Sequence, residues 1–271
     1  MELFTFILSY KITNTIHNKL AMLNAILQTV QNFFKSFSAI SKYSLWKFVV
    51  ATGILSCIVA YSIFKLIWTK SDGLGDWLAS FYKWERGSNF IASASDWLVF
   101  GLLFVACLIL YKYIMLIVSA PIMSMVSEKI EMKKTGGKPA PLSMSRSAKS
   151  LIRGLRIALR NITKELFLTG LLLLLGLIPV VGIASAVLIF IVQANYAGFG
   201  ACDFYMERHF SVKQSVRFIR KNRGIAIANG AIFLGLLAIP IVGFFLAPIL
   251  TAIGATLTVH PKISSEPALP S

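Results

Sequence analysis

Negative charge is scarce in this chain. Eleven Asp and Glu stand against 27 Lys and Arg in 271 residues. No two carboxylates are spaced suggestively for acid–base work. The three histidines, His17, His209 and His260, lie far apart. No HExxH, GxSxG, P-loop or Gly-rich dinucleotide fingerprint occurs. Enzymatic chemistry is therefore not expected, and neither a metal nor a cofactor is predicted. Cysteine is equally sparse. Cys57, Cys107 and Cys202 stand singly in apolar runs without CxxC spacing, which argues against a disulfide framework or a zinc site. The start, Met1-Glu2-Leu3-Phe4, has no basic n-region, so no removable signal peptide is expected.

Charge of both signs is low as well. Charged residues make up 14% of the chain, against about 25% in soluble domains. Hydrophobic residues reach 56%, with a mean hydropathy of +0.74. This is the composition of an all-α integral membrane protein, read as one membrane domain over 1–271. The net charge of +16 would suit nucleic acid. The basic residues sit beside apolar spans, however, where bilayer orientation and lipid headgroups account for them. No nucleic-acid-binding motif accompanies them, so no such partner is expected.

Along the chain, residues 1–44 are amphipathic, with Leu23, Ile26, Leu27, Val30, Phe33, Phe34 and Phe37 at helical spacing. They are expected on the membrane surface or packed on the bundle. Residues 45–68 read as a first span, bracketed by Trp46 and Trp68 with Lys47 and Lys65 able to snorkel. Residues 69–96 read as a loop with a short helix around Trp77–Trp84. Residues 97–125 read as a second span, carrying Lys112 toward an interface or a polar interior. Pro121 is expected to kink or end that helix.

The second half contains an internal repeat. Gly176-Leu177-Ile178-Pro179-Val180-Val181-Gly182 recurs as Leu237-Ala238-Ile239-Pro240-Ile241-Val242-Gly243. The shift (240 − 179 = 61) also carries Arg156 onto Arg217, Arg160 onto Lys221 and Asn161 onto Asn222. Each unit is a basic helix followed by an apolar stretch broken by Pro and Gly. Residues 166–202 and 225–259 are therefore expected to form two helical hairpins, with Pro179, Gly182, Pro240 and Gly243 at the turns. The arm before Pro179 has 13 residues, roughly 20 Å of helix, short of the roughly 30 Å bilayer core. Partly inserted hairpins follow from that length. The tail, 261–271, with its prolines and serines, is expected to be disordered.

Lys149, Arg153, Arg156, Arg160 and Lys164 fall on one helical face, and Lys213, Arg217, Arg220 and Lys221 lie near another. The segments 126–165 and 203–224 are rich in Lys and Arg, and 69–96 is poor. Positive-inside counting then puts both termini and both basic amphipathic helices in the cytoplasm. Guanidinium groups grip oxyanions in bidentate fashion. Arg156, Arg160, Arg217, Arg220 and Arg223 are thus candidates to line an anion path at the broken hairpins, where paired interruptions mark transporter sites. Contact with lipid phosphates is the competing reading of the same residues.

A set of short stretches also resembles a known family. These are Ala120-Pro121-Ile122-Met123-Ser124-Met125-Val126-Ser127-Glu128-Lys129, Lys164-Glu165-Leu166, Ile178-Pro179-Val180-Val181-Gly182, Cys202-Asp203 and Phe210-Ser211-Val212-Lys213, continuing through Asn222-Arg223, Ile239-Pro240, Pro248 and Gly254-Ala255-Thr256. In order and spacing they resemble the CysZ-type sulfate permeases and the etoposide-induced membrane proteins grouped with them, over roughly 33–260. The resemblance implies two long spanning helices, two partly inserted hairpins, homo-oligomeric assembly in a bacterial inner membrane and sulfate uptake for cysteine synthesis. It also implies an anion site at the start of the first span, where family members carry a Gly and an adjacent Arg pair. Here the Gly position falls at Ser36 and the pair at Trp46-Lys47, so Lys47 is the cation carried over. A non-transporting scaffold or lipid-interacting protein is the alternative the etoposide-induced branch offers.

Overall fold

The computed structural model describes residues 2–81, 109–137, 143–176, 178–239 and 242–265. Among these residues every regular element is an α-helix. The order is α1 Glu2–Lys42, α2 Trp46–Phe81, α3 Ile109–Val118, α4 Ala120–Thr135, α5 Met144–Gly176, α6 Pro179–Met206, α7 Val212–Lys221, α8 Arg223–Leu237 and α9 Val242–Ser265. Three stretches are long and apolar enough to cross a bilayer: Trp46–Leu66, Val181–Met206 and Phe245–Ser265. The bent pair α3–α4 makes a fourth if it counts as one span. The protein is an all-helical, multi-pass membrane protein.

Helix α9 is the centre of the bundle. Its apolar span is 72% buried, against 22% for those of α2 and α6, and it packs against α1, α2, α4, α6 and α8. Ile249, Leu250, Ile253 and Val259 are fully enclosed there. The outer helices keep large side chains such as Ile54, Ile58, Phe64, Val187 and Phe190 exposed, the surface that acyl chains cover in a bilayer. Helix α1 packs on this bundle through Ala25, Phe33 and Ile40, not through the whole predicted stripe. Leu23, Leu27, Phe34 and Phe37 face outward.

The two hairpin turns are built alike. In the first, the amide of Ile178 donates to the carbonyl of Leu175 and that of Gly182 to the carbonyl of Ile178 (3.2 and 3.0 Å). In the second, Ile239 donates to Leu236 and Gly243 to Ile239 (2.9 and 2.9 Å). These are the same bonds displaced by 61 residues. Of the expected turn positions, Pro179 and Gly182 lie in the first turn of α6 and Gly243 in the first turn of α9, just after the breaks, and Pro240 lies outside the described residues. Pro179 opens α6, where its missing amide has no helical acceptor to lose. Both hairpins are also lopsided. The arm leading in is a short apolar helix (α8) or the apolar end of a longer one (α5), and the arm leading out, α6 or α9, is long enough to cross.

Between the two hairpins, α6 and α8 cross at backbone contact. A Cβ on Gly198 would lie 1.9 Å from the Ala226 carbonyl oxygen, and one on Gly230 would lie 1.7 Å from that of Ala194. Ala194 and Gly198 on α6 thus meet Ala226 and Gly230 on α8, a small-residue seam of the kind that lets membrane helices approach closely.

Several boundaries differ from expectation. Helix α2 runs past Trp68 to Phe81, so the first part of the predicted 69–96 loop is helical. Propagation needs only one more internal bond per residue, and polar side chains do not stop it. The predicted second span is bent by 60° between α3 and α4, and its residues 97–108 lie outside the described region. Pro121 sits in the first turn of α4, where its ring bars continuation of α3, and α4 carries on to Thr135. The predicted disordered tail is helical as far as Ser265, with Pro248 and Pro261 inside α9.

Candidate anion site and the polar interior

Helix α5 is basic at its start and apolar at its end, so its side chains reach both interior partners and open clefts. Arg153 turns inward. Its Nε and Nη2 donate to Asp203 on α6 (2.8 and 2.7 Å), Nη2 also reaches Ser215 on α7 (2.8 Å), and Nη1 caps the Phe210 carbonyl (2.7 Å). Burial alone would lower its pKa, but the paired Asp203 reverses that and holds it above the ordinary value. One guanidinium thereby fastens α5, α6 and α7.

A second interior pair joins α3 to α5. Lys112 Nζ lies 2.6 Å from Glu165 Oε1, with both side chains 1% exposed. Tyr113 donates its hydroxyl to the other carboxylate oxygen (2.5 Å). Lys112 thus occupies the polar interior, one of the two sites its sequence position allowed. At the end of α4, Glu131 accepts from Arg208 and lies 2.7 Å from His209 Nε2, and Tyr205 bridges it to His260 Nδ1. Glu128 pairs with Arg146 at 2.9 Å, and Ser150 donates to Glu207 at 3.0 Å. Burial pushes the Glu207 carboxyl above the ordinary carboxylate range. All five carboxylates with described side chains (Glu128, Glu131, Glu165, Asp203, Glu207) are therefore engaged in holding helices together.

Most of the candidate cations lie elsewhere, in two clefts whose linings contain none of these carboxylates. Arg160, Lys164, Arg220 and Arg223 line a cleft of about 310 Å³ between α5, α6, α7 and α8, with Asn195 and Tyr196 on its α6 wall. An adjoining outer cleft of about 340 Å³ is lined by Arg156, Arg160, Lys164, Lys213 and Arg220. Arg160 belongs to both. It donates to Asn161 Oδ1 (2.8 Å) and lies over the Phe199 ring at 5.3 Å. Burial, with Arg220 opposite, lowers its pKa below the usual guanidinium value. Arg156, Arg160, Arg220 and Arg223 are thus brought together, joined by Lys164 and Lys213. Arg217 is on α7 but outside both linings.

Lys47 is in neither cleft. It sits exposed at the head of α2, over the Phe48 ring at 5.1 Å, and Lys129 approaches the same ring at 5.8 Å. Lys129 Nζ also donates to the Ser44 carbonyl (2.8 Å). Ser44 has φ = 54°, the left-handed conformation glycine usually supplies at a helix end. Ser36, matched to the family's Gly by sequence, instead lies buried inside α1 with its hydroxyl on the Phe33 carbonyl. Ser44 lies directly before Leu45 and Trp46-Lys47.

Sequence reasoning missed Glu165 as the partner of Lys112 and Lys129 as the neighbour of Lys47. The first pair is 53 residues apart, and nothing local announces it.

Comparison with curated proteins finds no match. The family model described as sulfate transporter CysZ/Etoposide-induced protein 2.4 matches residues 32–248, a stretch that takes in α2 to α8, both hairpin turns, the cationic clefts and the head of α2. The chain belongs to the sulfate transporter CysZ/Etoposide-induced protein 2.4 family.

Proposed function

We propose that this protein is an anion permease carrying sulfate or a similar oxyanion into a bacterial cell for cysteine synthesis. In this reading it is a homo-oligomer of the inner membrane with both termini cytoplasmic. The observation that carries the reading is the pair of adjoining clefts where cations from α5, α7 and α8 converge with no carboxylate in the lining. A cation cluster with no carboxylate in its lining is an electrostatic trap for an anion. Guanidinium groups supply bidentate donors to a tetrahedral oxyanion, with Arg156 at the outer rim, Arg160 and Arg220 shared, and Arg223 within. Lys47 at the head of α2, with Lys129 beside it, supplies a second cationic station, where the family resemblance implies an anion site. Here ammonium groups offer point charges where the Arg-pair members offer a fork.

The test is radiolabelled sulfate uptake into liposomes holding the purified protein. Uptake should saturate, and Arg160→Gln or Arg220→Gln should weaken it roughly tenfold or more, the worth of one charge-assisted hydrogen bond. Lys47→Ala should lower it independently. Uptake no greater than that of empty liposomes, from protein shown to be folded, would remove the permease reading and favour a non-transporting scaffold.

A further inference from the structure

The inner cleft has more room and more apolar wall than a small oxyanion uses. Its volume of about 310 Å³ equals that of roughly ten waters, and a five-atom tetrahedral ion leaves most of it open. Arg160, Arg220 and Arg223 mark one part of the lining. Much of the rest is aliphatic: Leu168 on α5, Ile191 and Val192 on α6, Ile227 on α8. The α6 residues belong to the span Val181–Met206. Beside them Val187, Leu188 and Phe190 are exposed on the outer surface that faces acyl chains. On α6 the lining runs from Ile191 to Phe199, seven to fifteen residues before Met206. That is roughly 10–22 Å down the helix, so the cleft spans from interfacial depth into hydrocarbon. A groove lined by guanidinium groups and aliphatic side chains, one of them the exposed Ile191, has the chemistry of a headgroup pocket between membrane helices.

We propose that an anionic phospholipid occupies this cleft, its phosphate held by Arg160, Arg220 and Arg223 and one acyl chain lying along Leu168, Val192 and Ile227. The lipid phosphate and a permeant oxyanion then compete for the same guanidinium groups, which makes bilayer composition a regulator of this site. The competition step rests on the permease reading; occupancy by lipid does not.

The experiment places the full chain in nanodiscs of phosphatidylcholine with about a quarter phosphatidylglycerol and identifies retained lipid by native mass spectrometry. The wild type should keep phosphatidylglycerol in preference to phosphatidylcholine. The double variant Arg220→Gln/Arg223→Gln should lose that preference by about tenfold or more. Val192→Asn, which leaves every charge in place, should weaken retention as well. Lys47→Gln, which removes a cation outside the cleft, should retain lipid like the wild type. Equal retention of the two lipids, or a loss in Lys47→Gln as large as in the double variant, would overturn the proposal. Sulfate uptake compared between pure phosphatidylcholine and mixed liposomes decides the second part. Slower uptake with phosphatidylglycerol supports competition, and equal uptake refutes it. Absent uptake in both refutes the permease reading and the competition with it, while the retention result still decides the lipid site.

Discussion

Replacing Gly198 by alanine adds one methyl group where α6 crosses α8. That carbon would lie 1.9 Å from the Ala226 carbonyl oxygen and 2.7 Å from the carbonyl carbon and from the Gly230 nitrogen. All three atoms are backbone, so no rotamer change relieves the contact. The helices must part by roughly 1.5 Å to restore ordinary separation, and the whole seam loses dispersion contact as they do. Overpacking of this kind costs about 1–3 kcal/mol, which at the upper end lowers the melting temperature of a chain this size by roughly 6–12 °C. Gly235 on α8 is the control, because a methyl group there meets nothing within 4 Å. Gly235→Ala should be neutral or stabilising by up to about 1 kcal/mol, the helix-propensity gain. Thermal unfolding in a mild detergent, followed by circular dichroism, compares the two. A Gly198→Ala protein that melts within about a degree of wild type would refute the backbone-contact seam.

Three further outcomes follow from the same structure. Lys112→Met leaves Glu165 buried and unpaired and should destabilise by about 3–5 kcal/mol; adding Glu165→Leu should recover most of that, which a double-mutant cycle of melting temperatures reads directly. At the second hairpin, Gly243→Ala puts a Cβ 1.8 Å from the Leu236 carbonyl oxygen, whereas Gly182→Ala meets the Gly176 carbonyl oxygen only at 3.1 Å. The second turn should therefore lose several degrees and the first little, in the same melting assay. Burial raises the Glu207 pKa, so its contribution to stability is full below the ordinary carboxyl value near 4.5 and is lost as pH rises through the raised one. Glu207→Gln should melt higher than wild type at neutral pH, with the gap closing toward pH 4.5 in a melting-temperature profile.

What the sequence revealed was local. The hairpin turns were readable because Pro and Gly fix backbone geometry within a few residues, and the 61-residue repeat marked both. The cation faces were readable because helical spacing places side chains before any tertiary contact forms. The partners were not. Lys112 and Glu165 find each other only once α3 and α5 are packed, and Arg153 leaves its basic stripe because Asp203 lies opposite it on α6. The α6–α8 seam did leave a trace, Ala-x-x-x-Gly at 194–198 and again at 226–230. That trace is weak because small residues are common in apolar helices and the two copies are 32 residues apart. Element ends were misjudged where composition stood in for backbone: α2 continues beyond its apolar run, and α9 continues past Pro261.

The matching turns also bear on the order in which the chain enters the membrane. Each turn is closed by bonds between residues four or fewer apart, with no help from the other hairpin. The α5–α6 hairpin can thus fold as soon as α6 emerges from the insertion machinery. Its Ala194–Gly198 face meets its backbone partners only once α8 brings Ala226 and Gly230. The seam is thus the part of the first hairpin that the second one completes.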